Sequence, residues 1–152
     1  MGEVEFSRKW NIEKSKCKRW HYEFYRYKKH WNRKTLRRLT KEDAQEAYNN
    51  WCSKDVVAKY VIWEKHKSVE VTKELFEMWE KEYEKNDTFR WIVEIKETNE
   101  LIGTIDVVNK KFINFGIFEI GYCYGNAFWN KGYGSEALRR VINFYLKKLV
   151  LL

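Results

Sequence analysis

Proline is absent from all 152 residues, against an average usage of about 5%, and nothing in the composition accounts for it. Cysteine is scarce. Cys17, Cys52 and Cys123 are odd in number and show no paired spacing, which argues against a disulfide framework or a zinc site. No apolar run approaches the roughly 18–20 residues a membrane span needs, and the start lacks a signal-like apolar block. The expectation is a soluble, cytoplasmic protein with no membrane partner. His21 and His30 have no carboxylate or thiol cluster beside them, so they read as surface residues and no metal is expected.

Apolar residues make up 44% of the chain and aromatics 18%, enough for one globular domain with a core. The net charge of +8 is lopsided. Residues 1–38 hold thirteen Lys/Arg against four Asp/Glu, whereas the remainder is nearly balanced. The chain therefore divides into a basic, aromatic-rich arm (1–33) and a neutral body (34–152). The arm interleaves Trp10, Trp20, Trp31, Tyr22, Tyr25 and Tyr27 with Lys and Arg, which would suit stacking on bases and pairing with phosphates. No RNA-binding motif accompanies it, so a solvated or non-native leader is the preferred reading.

In the body, Leu36 and Leu39 flank a short strand, and Thr40-Lys41-Glu42-Asp43 resembles an N-cap with an acid at the third helical position. A helix follows to about Trp51, then a short helical turn near Asp55–Tyr60. Ser68 caps a longer helix whose expected buried stripe is Val71, Leu75, Met78, Trp79 and Tyr83; Phe76, Trp79 and Tyr83 read as core, not as a ligand box. Asn86-Asp87 stops it. Three strands, Phe89–Ile95, Leu101–Val108 and Ile117–Tyr124, are joined by polar turns into an antiparallel meander. Ala137, Leu138, Val141, Ile142, Tyr145 and Leu149 mark a last helix.

Between the third of these strands and the last helix lies Lys131-Gly132-Tyr133-Gly134-Ser135. A glycine loop opening a helix lets main-chain N–H groups approach an anion, and the helix dipole adds positive potential. The pattern predicts a diphosphate cradle. Strand alternation puts Glu119, Gly121 and Cys123 on one face and Phe118, Ile120, Tyr122 and Tyr124 on the other. Glu119 thus stands beside a residue without a side chain, which leaves room for a substrate. A thiol nucleophile built from Cys123 and His66 is set aside, because no third partner is evident.

Four segments in order carry a resemblance: Leu39-Thr40-Lys41-Glu42-Asp43-Ala44, Leu101-Ile102-Gly103-Thr104-Ile105, Phe118-Glu119-Ile120-Gly121-Tyr122, and Trp129 through Ala137. From about Lys34 to Leu149 the chain resembles the GNAT acetyltransferases, notably the Rim-type branch that acetylates N-termini of ribosomal proteins. The resemblance implies an α/β (α+β) acyl-CoA N-acyltransferase fold, with a mixed, mostly antiparallel sheet flanked by helices. It implies acetyl-CoA as co-substrate and no metal. The family's Gln/Arg-x-x-Gly-x-Gly/Ala loop falls on Trp129, Asn130, Lys131, Gly132, Tyr133 and Gly134, with Ser135 as an added donor. Asn130 departs from a frequent Gly; Asn tolerates positive φ better than most residues. Tyr122, Cys123 and Tyr124 would offer their main chain to the pantetheine arm, in the manner of strand addition.

The implied chemistry is attack by a neutral primary amine on the thioester, with Glu119 as the base, acting through a water. An α-amine of pKa near 8 costs roughly 1.4 kcal/mol to deprotonate at pH 7 and a lysine about 4.6, so a protein N-terminus is the expected acceptor. In the family, a further strand, a helix carrying a cofactor-binding Asn and a final hairpin follow. This chain is expected to be C-terminally truncated, with its last strands missing and an open sheet edge that invites a homodimer. The alternative function is a catalytically inactive remnant acting as a basic RNA- or ribosome-associated module.

Overall fold

The computed structural model describes residues 34–85, 88–109 and 118–150. The basic arm, the Asn86-Asp87 stop and most of the Asn109–Gly116 turn lie outside the described residues. Strands β1 (Lys34–Arg37), β2 (Arg90–Ile95), β3 (Leu101–Asn109) and β4 (Glu119–Tyr124) form one sheet in the order β1-β2-β3-β4. All three pairings are antiparallel, so the expected meander is present and β1 adds to its outer side.

Helices cover both faces, the arrangement that buries a sheet apolar on its two sides. Between β1 and β2 a 3-10 turn (Lys41–Asp43), helix α1 (Ala44–Ala47) and a π turn (Tyr48–Cys52) follow without a break, then α2 (Asp55–Ala58) and α3 (Val69–Glu82). Helix α4 (Tyr133–Val150) lies on the opposite face. Leu39, Trp51, Cys52, Val57, Phe76, Ile92 and Cys123 pack under the first group. Trp91, Val93, Ile105, Val107, Tyr124, Ala137 and Val141 pack under α4. Among the described residues no helix is long and apolar enough to cross a membrane.

The Thr40 cap forms as expected: the Thr40 N–H donates to Asp43 Oδ2 at 2.8 Å, and the Asp43 N–H donates to the Thr40 carbonyl at 3.1 Å. Arg37 then ties this turn to the sheet, donating to Asp43 Oδ1 and to Glu94 Oε2, each at 2.7 Å. The stripe on α3 matches expectation at Leu75, Trp79 and Tyr83, which pack against the core, and at Phe76, but differs at two positions. Thr72 and Phe76 are its buried residues, while Val71 and Met78 are exposed. A polar Thr is admitted to the interior because its hydroxyl meets His66 Nδ1 at 2.7 Å, and a buried polar group with a partner loses little.

Two irregularities shift the pattern of faces. Val93 pairs with Gly103 but Glu94 with Leu101, which leaves Ile102 as an extra residue. Likewise Val107 pairs with Ile120 and Asn109 with Glu119, leaving Val108 unpaired. Such bulges re-aim side chains locally, and the second lies directly beside Glu119.

Candidate active site

The loop after β4 is built on close approaches. A Cβ on Gly125 would stand 2.6 Å from the Asn50 carbonyl oxygen, so the π turn and the strand end meet at a position only glycine fits. Asn50 also donates from Nδ2 to the Leu101 carbonyl at 2.7 Å, and Glu46 Oε1 accepts from the Leu101 N–H at 2.7 Å. The helical layer thereby clamps the start of β3 next to the loop. Trp129 Nε1 donates to the Tyr124 carbonyl at 2.8 Å, fastening the loop back onto the strand it leaves.

Asn130 and Gly132 take positive φ of 59° and 76°. The Glu136 N–H bonds the Gly132 carbonyl at 3.1 Å and closes the first turn of α4. Among the described residues the N–H groups of Asn130, Lys131, Gly132, Gly134 and Ser135 donate to no backbone acceptor. Asn130, Lys131, Gly132 and Ser135 are all exposed. Unpaired donors at an accessible helix start are the elements of an anion site. Tyr133 is half-buried, its ring 6.5 Å from that of Phe128.

Strand β4 leads into this loop. Its inner edge pairs with β3, and among the described residues no strand pairs with its outer edge. Tyr122 is exposed. Tyr124 is buried beneath the loop, where a Cβ on Gly134 would lie 3.3 Å from its ring. Its hydroxyl is buried without a partner, and burial raises its pKa. Cys123 faces the other way, into the core with Cys52. Burial pushes the Cys123 thiol up to about 12, so this sulfur is no nucleophile at neutral pH. What Cys123 can offer is its main chain. His66 is engaged with Thr72, and no Cys–His contact forms between the two.

Glu119 is exposed at the far end of β4, on the face opposite α4. Two residues on, Gly121 pairs with Asp106, whose Oδ1 lies 2.9 Å from where a Gly121 Cβ would stand. Burial raises the Asp106 pKa, and Arg90 opposes the shift. Arg90 Nε contacts Asp106 Oδ2 at 3.3 Å, its Nη1 donates to Glu82 Oε2 at 2.9 Å, and its guanidinium lies 4.1 Å from the centroid of the Trp79 ring. One cation thus serves two carboxylates. Sequence reasoning missed this group; its signal was an Asp within the largely apolar strand β3. Among the described residues no three side chains are grouped to hold a metal ion.

A four-stranded antiparallel sheet covered by helices, with a glycine loop joining its edge strand to a helix start, defines an acyl-CoA N-acyltransferase-like fold. The chain belongs to the GNAT acetyltransferase family: the description "Acetyltransferase (GNAT) domain" matches residues 33–151. It is 32% identical over 117 residues to the uncharacterized N-acetyltransferase p20 of Bacillus licheniformis, a match covering 74% of this chain and 62% of that relative. The chain thus spans less than two thirds of that relative's length. Among solved structures it resembles the ribosomal-protein-S5-alanine acetyltransferase of Vibrio fischeri, with a TM-score of 0.64, 20% identity, and coverage of 78% of this chain and 67% of the other. It also resembles the microcin C7 self-immunity acetyltransferase MccE, solved with acetyl-CoA and AMP, with a TM-score of 0.66, 18% identity, and coverage of 76% and 63%.

Proposed function

We propose that this chain transfers an acetyl group from acetyl-CoA to a primary amine, with a protein N-terminal α-amine as the preferred acceptor. The observation that carries the reading is the exposed loop at the start of α4, with left-handed Asn130 and Gly132 and unpaired N–H groups. These donors, with Lys131 close by, would hold the diphosphate. Tyr122, Cys123 and Tyr124 would present the outer main-chain edge of β4 to the pantetheine amides. From Tyr124 back to Glu119 the strand extends roughly 17 Å at about 3.4 Å per residue, a span suited to an extended arm.

In this reading Glu119 receives the proton of the incoming amine through a water, beside the space that Gly121 leaves open. Its exposure suits a group that meets acceptors from solvent. The buried, free thiols of Cys52 and Cys123 support a cytoplasmic setting. Residues 1–33 are an arm outside the transfer machinery, so their deletion should cost little activity. A loss of salt-sensitive RNA affinity on that deletion, with no turnover in either form, would favour the binding-module reading instead.

The test is thiol release from acetyl-CoA in the presence of short peptides, run beside Gly132→Trp. Substitution there blocks the main chain's approach to the anion. Turnover in the parent chain and none in the variant is the expected result; equal turnover in both would remove the site assignment.

A further inference from the structure

Lys34 opens β1, and its side chain is wholly buried. Its Nζ lies 3.0 Å from Glu136 Oε2, 3.4 Å from the Tyr133 carbonyl oxygen and 4.0 Å above the centroid of the Tyr133 ring. The Lys34–Glu136 contact joins residues 102 positions apart. It links the first described strand to the first turn of the last helix, immediately after the glycine loop.

A buried ammonium is costly unless paired, so Glu136 offsets the burial of Lys34. The reverse relation bears on function. Glu136 sits in the first turn of α4, and its own N–H closes that turn on Gly132. An uncompensated carboxylate on that turn would repel a diphosphate arriving at the loop donors. The dipole and the free N–H groups attract an anion only as far as this charge is cancelled. Lys34 cancels it from inside the protein, leaving the exposed side of the loop to the ligand. Its contact with the Tyr133 carbonyl also fixes the residue that follows Gly132.

We propose that Lys34 is a positioning residue for the anion loop: by pairing with Glu136 it neutralises the one carboxylate in the first turn of α4 and holds that turn in place for the diphosphate of CoA. This inference rests on the reading of the loop as a diphosphate site. Lys34 touches no ligand; it acts through Glu136 and Tyr133.

The test is calorimetric titration of CoA into the full chain, its Lys34→Met and Glu136→Gln variants and the double variant, with thermal melting of each. Both single variants should melt lower: Glu136→Gln removes the carboxylate 3.0 Å from the wholly buried Lys34, and Lys34→Met removes the ammonium from the partly exposed Glu136. Affinity should separate them. Lys34→Met should bind CoA about tenfold more weakly at low salt, the order set by one unit charge near a diphosphate at intermediate dielectric, and the gap should narrow as salt is added. Glu136→Gln should bind at least as tightly as the parent, and the double variant should recover most of the loss. If Glu136→Gln weakens binding as much as Lys34→Met, the pair is merely structural and the inference is overturned. Should Lys34→Met fail to fold, Glu136→Gln decides against the parent alone: binding at least as tight supports the inference, and weaker binding overturns it. CoA binding by the parent with no change in Lys34→Met overturns the inference while leaving the loop assignment standing; no binding by the parent overturns both.

Discussion

Gly103 and Cys123 approach so closely across β3 and β4 that a Cβ on Gly103 would collide with the Cys123 carbonyl oxygen and meet the Tyr124 ring at 2.7 Å. The obstacle includes backbone, which cannot swing aside as a side chain tip would. Gly103→Ala should therefore destabilise the chain by about 3 kcal/mol, read as a drop of about 10 °C in Tm. A melt within a degree or two of the parent would show that the strands are not packed this tightly.

Asn130 holds a φ of 59°, a region where a side chain costs about 1–2 kcal/mol and Asn less than most. Asn130→Gly should preserve CoA affinity or improve it. Asn130→Val, β-branched and intolerant of that region, should weaken CoA binding about tenfold or more in the same titration. Equal affinity for the two variants would mean that loop conformation does not control the anion site.

Glu119 and Gly121 share one face of β4, the face proposed to meet the acceptor. Glu119→Gln should lower kcat by at least about a hundredfold, as expected for loss of a proton acceptor, without changing CoA affinity. Gly121→Ala would bring a methyl within 2.9 Å of both Asp106 Oδ1 and Val108 Cγ1. That variant should raise KM for the amine while leaving KM for acetyl-CoA near its parent value. A full-rate Glu119→Gln protein would move the proton acceptor elsewhere.

His66 is half-buried, with Nδ1 2.7 Å from Thr72 Oγ1 and its ring 5.4 Å from that of Trp63. Burial lowers its pKa below the ordinary 6.5. A depressed folded value means that the unfolded chain binds the proton first, so this contribution to stability is present above about pH 6.5 and is lost as pH falls through the folded value. Tm should decline on acidification below that point, and His66→Gln should show a flatter dependence there. Parallel pH profiles for the two proteins would exclude His66 as the source.

Much of this was legible locally. The Thr40–Asp43 cap, the meander and the glycine loop each depend on residues a few positions apart, and short-range patterns report such relations directly. On α3 Leu75, Phe76, Trp79 and Tyr83 follow the helical period, but Thr72 takes the interior place expected of Val71, and only its contact with His66 makes a polar residue interior there. The Arg90 group was invisible for a similar reason: Glu82, Arg90 and Asp106 come from a helix and two strands. No periodicity links them.

By itself the sequence determined the order of elements, the family, and the place where a helix begins on an accessible glycine loop, because backbone conformation follows from propensity, caps and residues that tolerate positive φ. Only the tertiary structure decided which charges are buried and with whom. Lys34 meets Glu136 and Asn50 meets Leu101 across 102 and 51 positions, and such pairings exist only after strand register, the two bulges and the packing of helices on both faces have brought distant segments within a few ångströms.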